Sequence, residues 1–223
     1  MIKITRIAEP DILRNNRANW LINYINAIEN YEIDPSPANK AIKENNEKKY
    51  NHADIRSALR EMSDSKCMYC ESHITHIGYP HIEHFRPKSK YPRLCFSWTN
   101  LLLACSVCNG KEYKGEKFPS KKQNGLFINP TIENPNIFFH FEFDYLTGVS
   151  IVNPLNERAK TTEKELGLNR AELLKHRNSV VKKMVYIAEQ AKRGDQEARN
   201  LLFDCTKSTE EYSAFAIALF ATI

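Results

Sequence analysis

The chain has 223 residues, a formal net charge of +5 and an apolar fraction of 42%, values that are ordinary for a globular protein. This length leaves room for one sizeable core, or for a small catalytic module with helical additions. A mildly basic charge permits nucleic-acid binding but does not require it. No apolar run reaches the roughly 18 residues that cross a bilayer, and the first residues contain no apolar signal core. We therefore expect a cytoplasmic protein without a membrane-spanning helix.

The first part of the chain predicts two helices joined by a linker. Apolar residues recur at helical spacing over about 10–30 and again over about 52–62. Between them, residues 31–50 are rich in Pro, Asn, Lys and Glu, a composition typical of an exposed linker or a poorly ordered loop. We treat residues 1–62 as an N-terminal helical region.

The next region, 63–150, contains a cysteine-rich module followed by a small β element. A turn at 121–125 precedes a predicted strand at 126–130, which ends at a proline. Over 138–145, aromatic residues alternate with polar ones, as in a half-buried strand. A Thr-Gly turn then leads into a further predicted strand at 149–151.

The last region, 151–223, predicts helices throughout. Asn169 is placed to cap a long amphipathic helix, which Gly194 interrupts. A capping box at 208–211 precedes a final apolar helix over 212–223. Because this helix is apolar on nearly all sides, we expect it to be buried, within this subunit or against a partner.

Four of the six cysteines form two C-x-x-C pairs, Cys67 with Cys70 and Cys105 with Cys108. In a cytoplasmic protein, such pairs hold a metal more often than they form disulfides. Thiolates at this spacing suit tetrahedral zinc, and a closed four-cysteine site is structural because no coordination position is left for a substrate. A thioredoxin-like redox role is disfavoured because no βαβ pattern surrounds the first pair. The pairs thus predict a structural zinc site and do not define a function.

The step from Glu83 to His84 supplies the candidate reactive groups. A histidine with a pKa near neutrality can take a proton from water, and carboxylate and amide oxygens are hard ligands suited to magnesium or manganese. Consecutive strand residues point to opposite faces, so these two share a site only at a bend or strand end, with which Pro87 is consistent. Three nearby histidines remain alternative metal ligands: His73, His76 and His81. We interpret three others as ordinary surface or core residues: His52, His140 and His176.

The full pattern is C-x-x-C, an acidic residue before His with a nearby Pro, and Asn-Leu-Leu-Leu-x-Cys-x-x-Cys-Asn. It resembles the HNH endonucleases, in the variant whose last His is replaced by Asn. The resemblance implies a ββα-metal module stapled by the four-cysteine zinc site. With the helices predicted before and after this module, we expect an α+β, mainly α-helical fold. It makes His84 the general base, and it makes Glu83 and Asn109 the ligands of a catalytic Mg²⁺ or Mn²⁺. Asn100 would tie down the loop between the strands, and Glu83 replaces the commoner Asp.

Basic residues around the motif are candidate contacts for a nucleic-acid backbone: Arg86, Lys88, Lys111 and Lys114. Such contacts are independent of base sequence and weaken with salt, but each residue could equally belong to a solvated surface. The family usually has a lysine shortly after the final Asn, and here Lys111 and Lys114 are both candidates for it. No Walker A loop is present, so any dependence on ATP must come from a partner.

Further elements narrow the resemblance to the HNH subunits, called PtuB, of Septu-type and retron-associated anti-phage defence systems. They lie at 67–71, 82–89, 98–102 and 115–119, with a less specific one at 166–170. The resemblance implies a toxic effector that hydrolyses phosphodiester bonds of DNA, or of host RNA such as tRNA. It also implies partners: a separately encoded PtuA-like ATPase and, in some systems, a retron reverse transcriptase with its small DNA and RNA.

The alternative is a zinc-stapled module without catalysis that binds nucleic acid or a protein partner. The complete set of Glu83, His84, Asn100 and Asn109 argues against it, because a pure binding module does not need these residues together.

Overall fold

The computed structural model describes residues 1–74, 80–120, 122 and 126–223. The predicted turn at 121–125, apart from Lys122, and His76 lie outside these residues. The helices are α1 (Asp11–Ile33), α2 (Pro37–Glu47), α3 (Ala53–Met62), α4 (Ser106–Asn109), α5 (Glu157–Leu166), α6 (Ala171–Lys192), α7 (Gln196–Cys205) and α8 (Ser213–Phe220). The strands are β1 (His81–His84), β2 (Leu101–Ala104), β3 (Phe139–Asp144) and β4 (Val149–Pro154). Among the described residues, no helix has the length and hydropathy to span a membrane.

The mainly helical α+β fold class is confirmed, and so are the predicted helices α1 and α3. The prediction of a linker over 31–50 is wrong, because α2 occupies most of it. Ser36 caps α2 by accepting a hydrogen bond from Asn39 N at 3.4 Å, and Pro37 takes the first helical position. No residue of α2 is buried, and its few apolar residues are Ala38, Ala41 and Ile42, so the segment lacks the apolar content of a core helix. The helix is held by packing against α1.

Strands β1 and β2 and helix α4 form a ββα unit in the order that the resemblance implies. The strands are antiparallel, with His84 opposite Leu101. All four residues of β2 are buried, so this strand forms the centre of the module. The side chain of Cys105 caps α4, because its Sγ accepts from Cys108 N at 3.4 Å. This register places His84 at the end of β1, where the chain bends away.

The second sheet pairs β3 with β4, as predicted, and β4 is longer than expected. The predicted strand at 126–130 is wrong. Arg158 donates to Leu126 O at 2.6 Å and to Phe127 O at 2.8 Å, and Thr162 Oγ1 accepts from Ile128 N at 3.2 Å. Side chains of α5 therefore satisfy backbone groups that a neighbouring strand would otherwise satisfy.

Two predicted helix caps are also wrong. Arg170 immediately precedes α6, while Asn169 binds Val152 in β4: its Nδ2 donates to Val152 O at 2.9 Å and its Oδ1 accepts from Val152 N at 3.0 Å. The capping box at 208–211 does not cap α8, which follows Tyr212 at φ 55° without a side-chain cap. The side chain of Asn169 thus binds the backbone of β4 and does not cap α6.

The expectation that the final helix is buried holds for its first half only. Residues 213–216 are buried, whereas Ile217 is 39% exposed. One continuous set of buried apolar side chains joins the N-terminal, central and C-terminal regions, with Leu59, Leu102 and Phe215 as members. The domain boundaries after 62 and 150 stay a prediction.

The role of Asn169 as a strand clamp predicts a specific pattern of stability. Asn169→Ser keeps a residue that caps helices well but loses the paired bonds to Val152, so the free energy of unfolding should fall by about 2 kcal/mol. The control is Asn156→Ser, since Asn156 is an ordinary cap whose Oδ1 accepts from Ala159 N at 2.9 Å. There the change should stay within about 0.5 kcal/mol. Urea denaturation measures both, and equal losses would contradict the clamp.

Candidate active site and metal centre

The two cysteine pairs come together in space. The Sγ atoms of Cys67, Cys70, Cys105 and Cys108 all lie within 4.8 Å of one another, and all four residues are buried. A tetrahedral zinc with Zn–S bonds of about 2.3 Å places its sulfurs ~3.8 Å apart. The four thiols thus fit one zinc ion that is closed to substrate.

Backbone hydrogen bonds fasten this cluster to the ββα unit. Met68, between the first pair of cysteines, donates its N–H to Leu103 O at 2.9 Å, and Leu103 N donates to Met68 Sδ at 3.4 Å. After the second pair, Lys114 N donates to Cys108 O at 3.1 Å. The cluster therefore fixes β2 on one side and the segment that carries Lys114 on the other.

An open cavity of about 800 Å³ lies over β1 and the end of α4. Glu83, His84 and Asn109 all line it, although Glu83 is only 4% exposed and His84 only 6%. Glu83 and His84 reach the same cavity because His84 is the last residue of its strand. The structure thus brings together the three residues that the resemblance assigns to metal binding and proton transfer.

The imidazole of His84 is held in one orientation. Its Nε2 lies 2.9 Å from Cys95 O, and the ring of Tyr50 meets it edge-on with 4.6 Å between ring centroids. A carbonyl oxygen only accepts, so Nε2 carries the proton and Nδ1 is left as the basic nitrogen. Burial lowers the pKa of His84 to about 4. The ring is therefore neutral near pH 7, and the same burial makes it a weaker base than a free imidazole.

The carboxylate of Glu83 faces a buried lysine. Lys114 Nζ lies 2.7 Å from Glu83 Oε1, and neither side chain is more than 5% exposed. Burial raises the pKa of Glu83, and the charge of Lys114 opposes this. Oε1 is thus held by the ammonium group of Lys114. A carboxylate and an Asn side chain that line the same cavity are ligands suited to a hard divalent cation, which would share the carboxylate with Lys114 or displace it.

Asn100 holds the loop that leaves β1. Its Oδ1 accepts from Arg86 N at 2.8 Å, and its Nδ2 donates to Arg86 O at 3.0 Å and to Leu94 O at 3.2 Å. Cys95, whose carbonyl binds His84, directly follows Leu94. These bonds match the loop-tying role implied for Asn100 and connect it to the orientation of His84.

The four candidate backbone contacts have different surroundings. Lys88 and Lys111 line the cavity. The guanidinium of Arg86 instead lies over the rings of Phe118, at 5.2 Å, and Tyr91, at 5.5 Å. Lys114 has no exposed surface, so its assignment as a nucleic-acid contact is corrected: its ammonium group is committed to Glu83.

Sequence reasoning missed one wall of the cavity. Four residues of this wall come from α3 and the turn before it: Tyr50, Asn51, Arg56 and Arg60. No motif marks them, and the segment before α3 was interpreted as a linker. A usable signal was the i, i+4 spacing of Arg56 and Arg60, which puts both on one helix face.

The other histidines have structural or surface positions. His52 caps α3, His140 is exposed on β3, and His176 Nε2 lies 3.4 Å from Glu211 Oε2. The backbone N–H of His73 also donates to Glu211, at 2.6 Å. His81 is exposed at the start of β1 and borders the cavity.

Comparison with known proteins agrees with this geometry. The sequence model of the HNH endonuclease family matches residues 67–115, the segment that holds the cysteine cluster and the ββα unit. A retron Vc95 protein of Vibrio cholerae serotype O1 biovar El Tor, which carries the name of an HNH endonuclease, is 31% identical over 157 residues. That alignment covers 66% of this chain and 72% of the relative. The chain belongs to the HNH endonuclease family.

Two further relatives are named Septu protein PtuB. The one from Bacillus thuringiensis is 39% identical over 122 residues, covering 54% of this chain and 43% of the relative. The one from Bacillus mycoides is 31% identical over 159 residues, covering 60% of this chain and 52% of the relative. This HNH chain thus spans about half the length of the PtuB proteins that it matches.

The four-cysteine cluster predicts that metal binding and folding are coupled. Cys105→Ser should lose bound zinc and lower the melting temperature, because binding free energy in such sites is folding free energy. Zinc content by elemental analysis and thermal unfolding by circular dichroism measure both effects. Cys205→Ser is the control, since Cys205 lies outside the cluster and is half-buried. A melting temperature equal to that of the wild type in Cys105→Ser would contradict a structural metal.

Proposed function

We propose that this protein is a metal-dependent HNH endonuclease that hydrolyses phosphodiester bonds of nucleic acid. The single observation that carries the proposal is the arrangement of His84 and Glu83. A neutral, oriented imidazole shares one cavity with a buried carboxylate that is paired with Lys114. A proton acceptor beside a hard ligand is the chemistry that single-metal phosphodiester hydrolysis requires.

Within this proposal, each residue has a defined task. His84 Nδ1 takes the proton of the attacking water, while the bond from Nε2 to Cys95 O keeps the ring in place. Glu83 and Asn109 hold a Mg²⁺ or Mn²⁺ ion, which when bound neutralises charge on the phosphate and the leaving oxygen. Asn100 keeps the loop rigid. Lys88 and Lys111 attract the phosphate backbone, and zinc on the four cysteines holds the module together.

The names of the relatives support a role in defence against phages. We infer that the chain acts in the bacterial cytoplasm as the toxic effector of a Septu- or retron-type system, together with a PtuA-like ATPase. A retron reverse transcriptase with its small DNA and RNA is a further partner in this proposal. The substrate is DNA or host RNA such as tRNA, so the assay includes both DNA and tRNA.

A second candidate function, binding of nucleic acid or a partner without catalysis, needs only the zinc cluster and the basic residues. The geometry of His84 favours catalysis over this alternative. A surface histidine in a binding module has no need of a bond to Cys95 O or of support from Asn100.

The experiment that tests the proposal is a cleavage assay on phage DNA, plasmid and total tRNA with the co-encoded ATPase present. His84→Ala should reduce the cleavage rate at least about 100-fold, because general-base catalysis contributes roughly that much or more. Zinc content and the unfolding transition should stay those of the wild type. His140→Ala, which changes an exposed histidine on β3, is the matched control and should cleave normally.

The second part of this experiment removes divalent metal ions with a chelator. EDTA should abolish cleavage, and magnesium added back to protein that has kept its zinc should restore it. Undiminished cleavage by His84→Ala would refute the assignment of the general base. Binding of nucleic acid without cleavage in every condition would favour the non-catalytic module.

A further inference from the structure

We propose that the cavity over Glu83 and His84 takes a single, unpaired strand of nucleic acid, with α3 as a second wall that grips its backbone. This inference rests on the proposed function, because it specifies the form of the substrate at the same site. The observations that carry it are the burial of the reactive groups and the charged residues of α3 that line the same cavity.

The reactive groups lie at the floor of a two-sided cleft. Glu83 is 4% exposed and His84 6%. The ring of Tyr50, shortly before α3, packs edge-on against His84 and lines the same cavity as Arg56 and Arg60 of α3. A scissile phosphate must therefore descend between two walls to reach the candidate metal ligands.

The depth of the cavity favours an unpaired strand. The cavity has a volume of about 800 Å³ and is open to solvent. Glu83 and His84 on its floor are almost fully buried, so a phosphate held in a paired duplex would have to leave the helix surface to reach them. A strand that is single, looped out or locally opened can place one phosphate on the floor, at the cost of unpairing when it starts as a duplex.

The second wall carries groups that recognise such a strand. Arg56 and Arg60 of α3 line the cavity together with Lys88 and Lys111. The Nε of Arg60 is buried without a hydrogen-bond partner, and guanidinium groups bind phosphate with paired hydrogen bonds. Tyr50 also lines the cavity, where Lys88 Nζ lies 5.6 Å from the centroid of its ring. A base that stacks on this ring would replace that contact, and such stacking does not depend on the identity of the base.

The test compares four labelled substrates that share one sequence: single-stranded DNA, single-stranded RNA, a blunt DNA duplex and a DNA hairpin with an unpaired loop. The full chain is assayed with magnesium and the co-encoded ATPase. We expect single-stranded DNA, single-stranded RNA or both to be cut about 100-fold faster than the duplex, since the duplex must first open. The unpaired loop of the hairpin should be cut as fast as the single strand. A duplex cut as fast as the single strand would overturn the inference while leaving the nuclease intact.

A binding measurement tests this inference independently of the proposed nuclease activity. Fluorescence anisotropy with His84→Ala measures affinity for the same substrates without cleavage. A single strand bound at least about tenfold more tightly than the duplex supports the inference even if no substrate is cut, in which case only the nuclease assignment fails. Equal binding, or tighter binding of the duplex, overturns it.

Variants of Arg56 and Arg60 test whether α3 itself contacts the strand. Arg56→Gln and Arg60→Gln should each weaken single-strand binding about tenfold and reduce the slope of log affinity against log salt by about 1. Arg193→Gln removes the same charge at the exposed end of α6 and should change neither quantity. Unchanged binding in both α3 variants would remove α3 from the proposed site.

A different observation concerns the segment 166–170, which the active site does not use. Gly167 adopts φ 58°, and a Cβ added there would lie 2.1 Å from the ring of Tyr113. Arg170 lies over the same ring at 5.1 Å, and its Nη1 is 3.5 Å from Cys108 Sγ. The segment therefore brings a guanidinium group against the buried cysteine cluster.

We infer that Arg170 is a positioning residue for the metal thiolates. Four thiolates around one zinc ion carry a net charge of −2, which is costly to bury without a compensating cation. Arg170 supplies that cation, and its donation to sulfur stabilises the charged form of Cys108. Close packing of Tyr113 on Gly167 leaves room for this approach.

The test is zinc release to a chromophoric chelator, a readout independent of nuclease activity. Arg170→Gln should release zinc about tenfold faster than the wild type, in line with the effect of other outer-shell partners. Arg170→Lys retains the charge and should fall between the two, which keeps the test decisive if the Gln variant folds poorly. Arg193→Gln controls for loss of net charge. Wild-type release rates in both Arg170 variants would overturn this inference.

Discussion

The rest of the structure depends on the convergence of four buried sulfur atoms. Two cysteine pairs far apart in the chain meet at one point, and between them the chain forms a two-stranded hairpin too small to be stable alone. Met68 binds β2 from one pair, and the backbone beyond Cys108 leads to Lys114 from the other. Metal binding at the sulfurs would thus fix both the strand opposite His84 and the lysine opposite Glu83.

Burial gives the two reactive groups their different states. The same low-polarity environment disfavours the charged form of each, lowering the pKa of His84 and raising that of Glu83. Lys114 moderates the second effect, and its distance of 2.7 Å from the carboxylate makes it part of the site rather than of the surface. A neutral base and a carboxylate with a compensating cation can therefore coexist in one cavity at neutral pH.

The sequence allowed much of the central module to be predicted, because ligand spacing and motif order are local signals. The two C-x-x-C pairs predicted the four-cysteine cluster, and the resemblance predicted the order of β1, β2 and α4. The sequence did not reveal α2, because its composition is polar and none of its residues is buried. It also did not reveal the true partner of Asn169, which is Val152 in β4. The burial of Lys114 and the wall formed by α3 depend on tertiary packing, so no local pattern distinguished Lys114 from Lys111.

Helix α3 has one face that packs in the core and another that lines the cavity. Ile55 and Leu59 are fully buried in the core, while Arg56 and Arg60, one position later in each case, face the cavity. A substitution on the cavity face leaves the packing of the core face in place. The residues that line the cavity and the residues that hold the fold are therefore separate sets on one short helix, and each set can vary without the other.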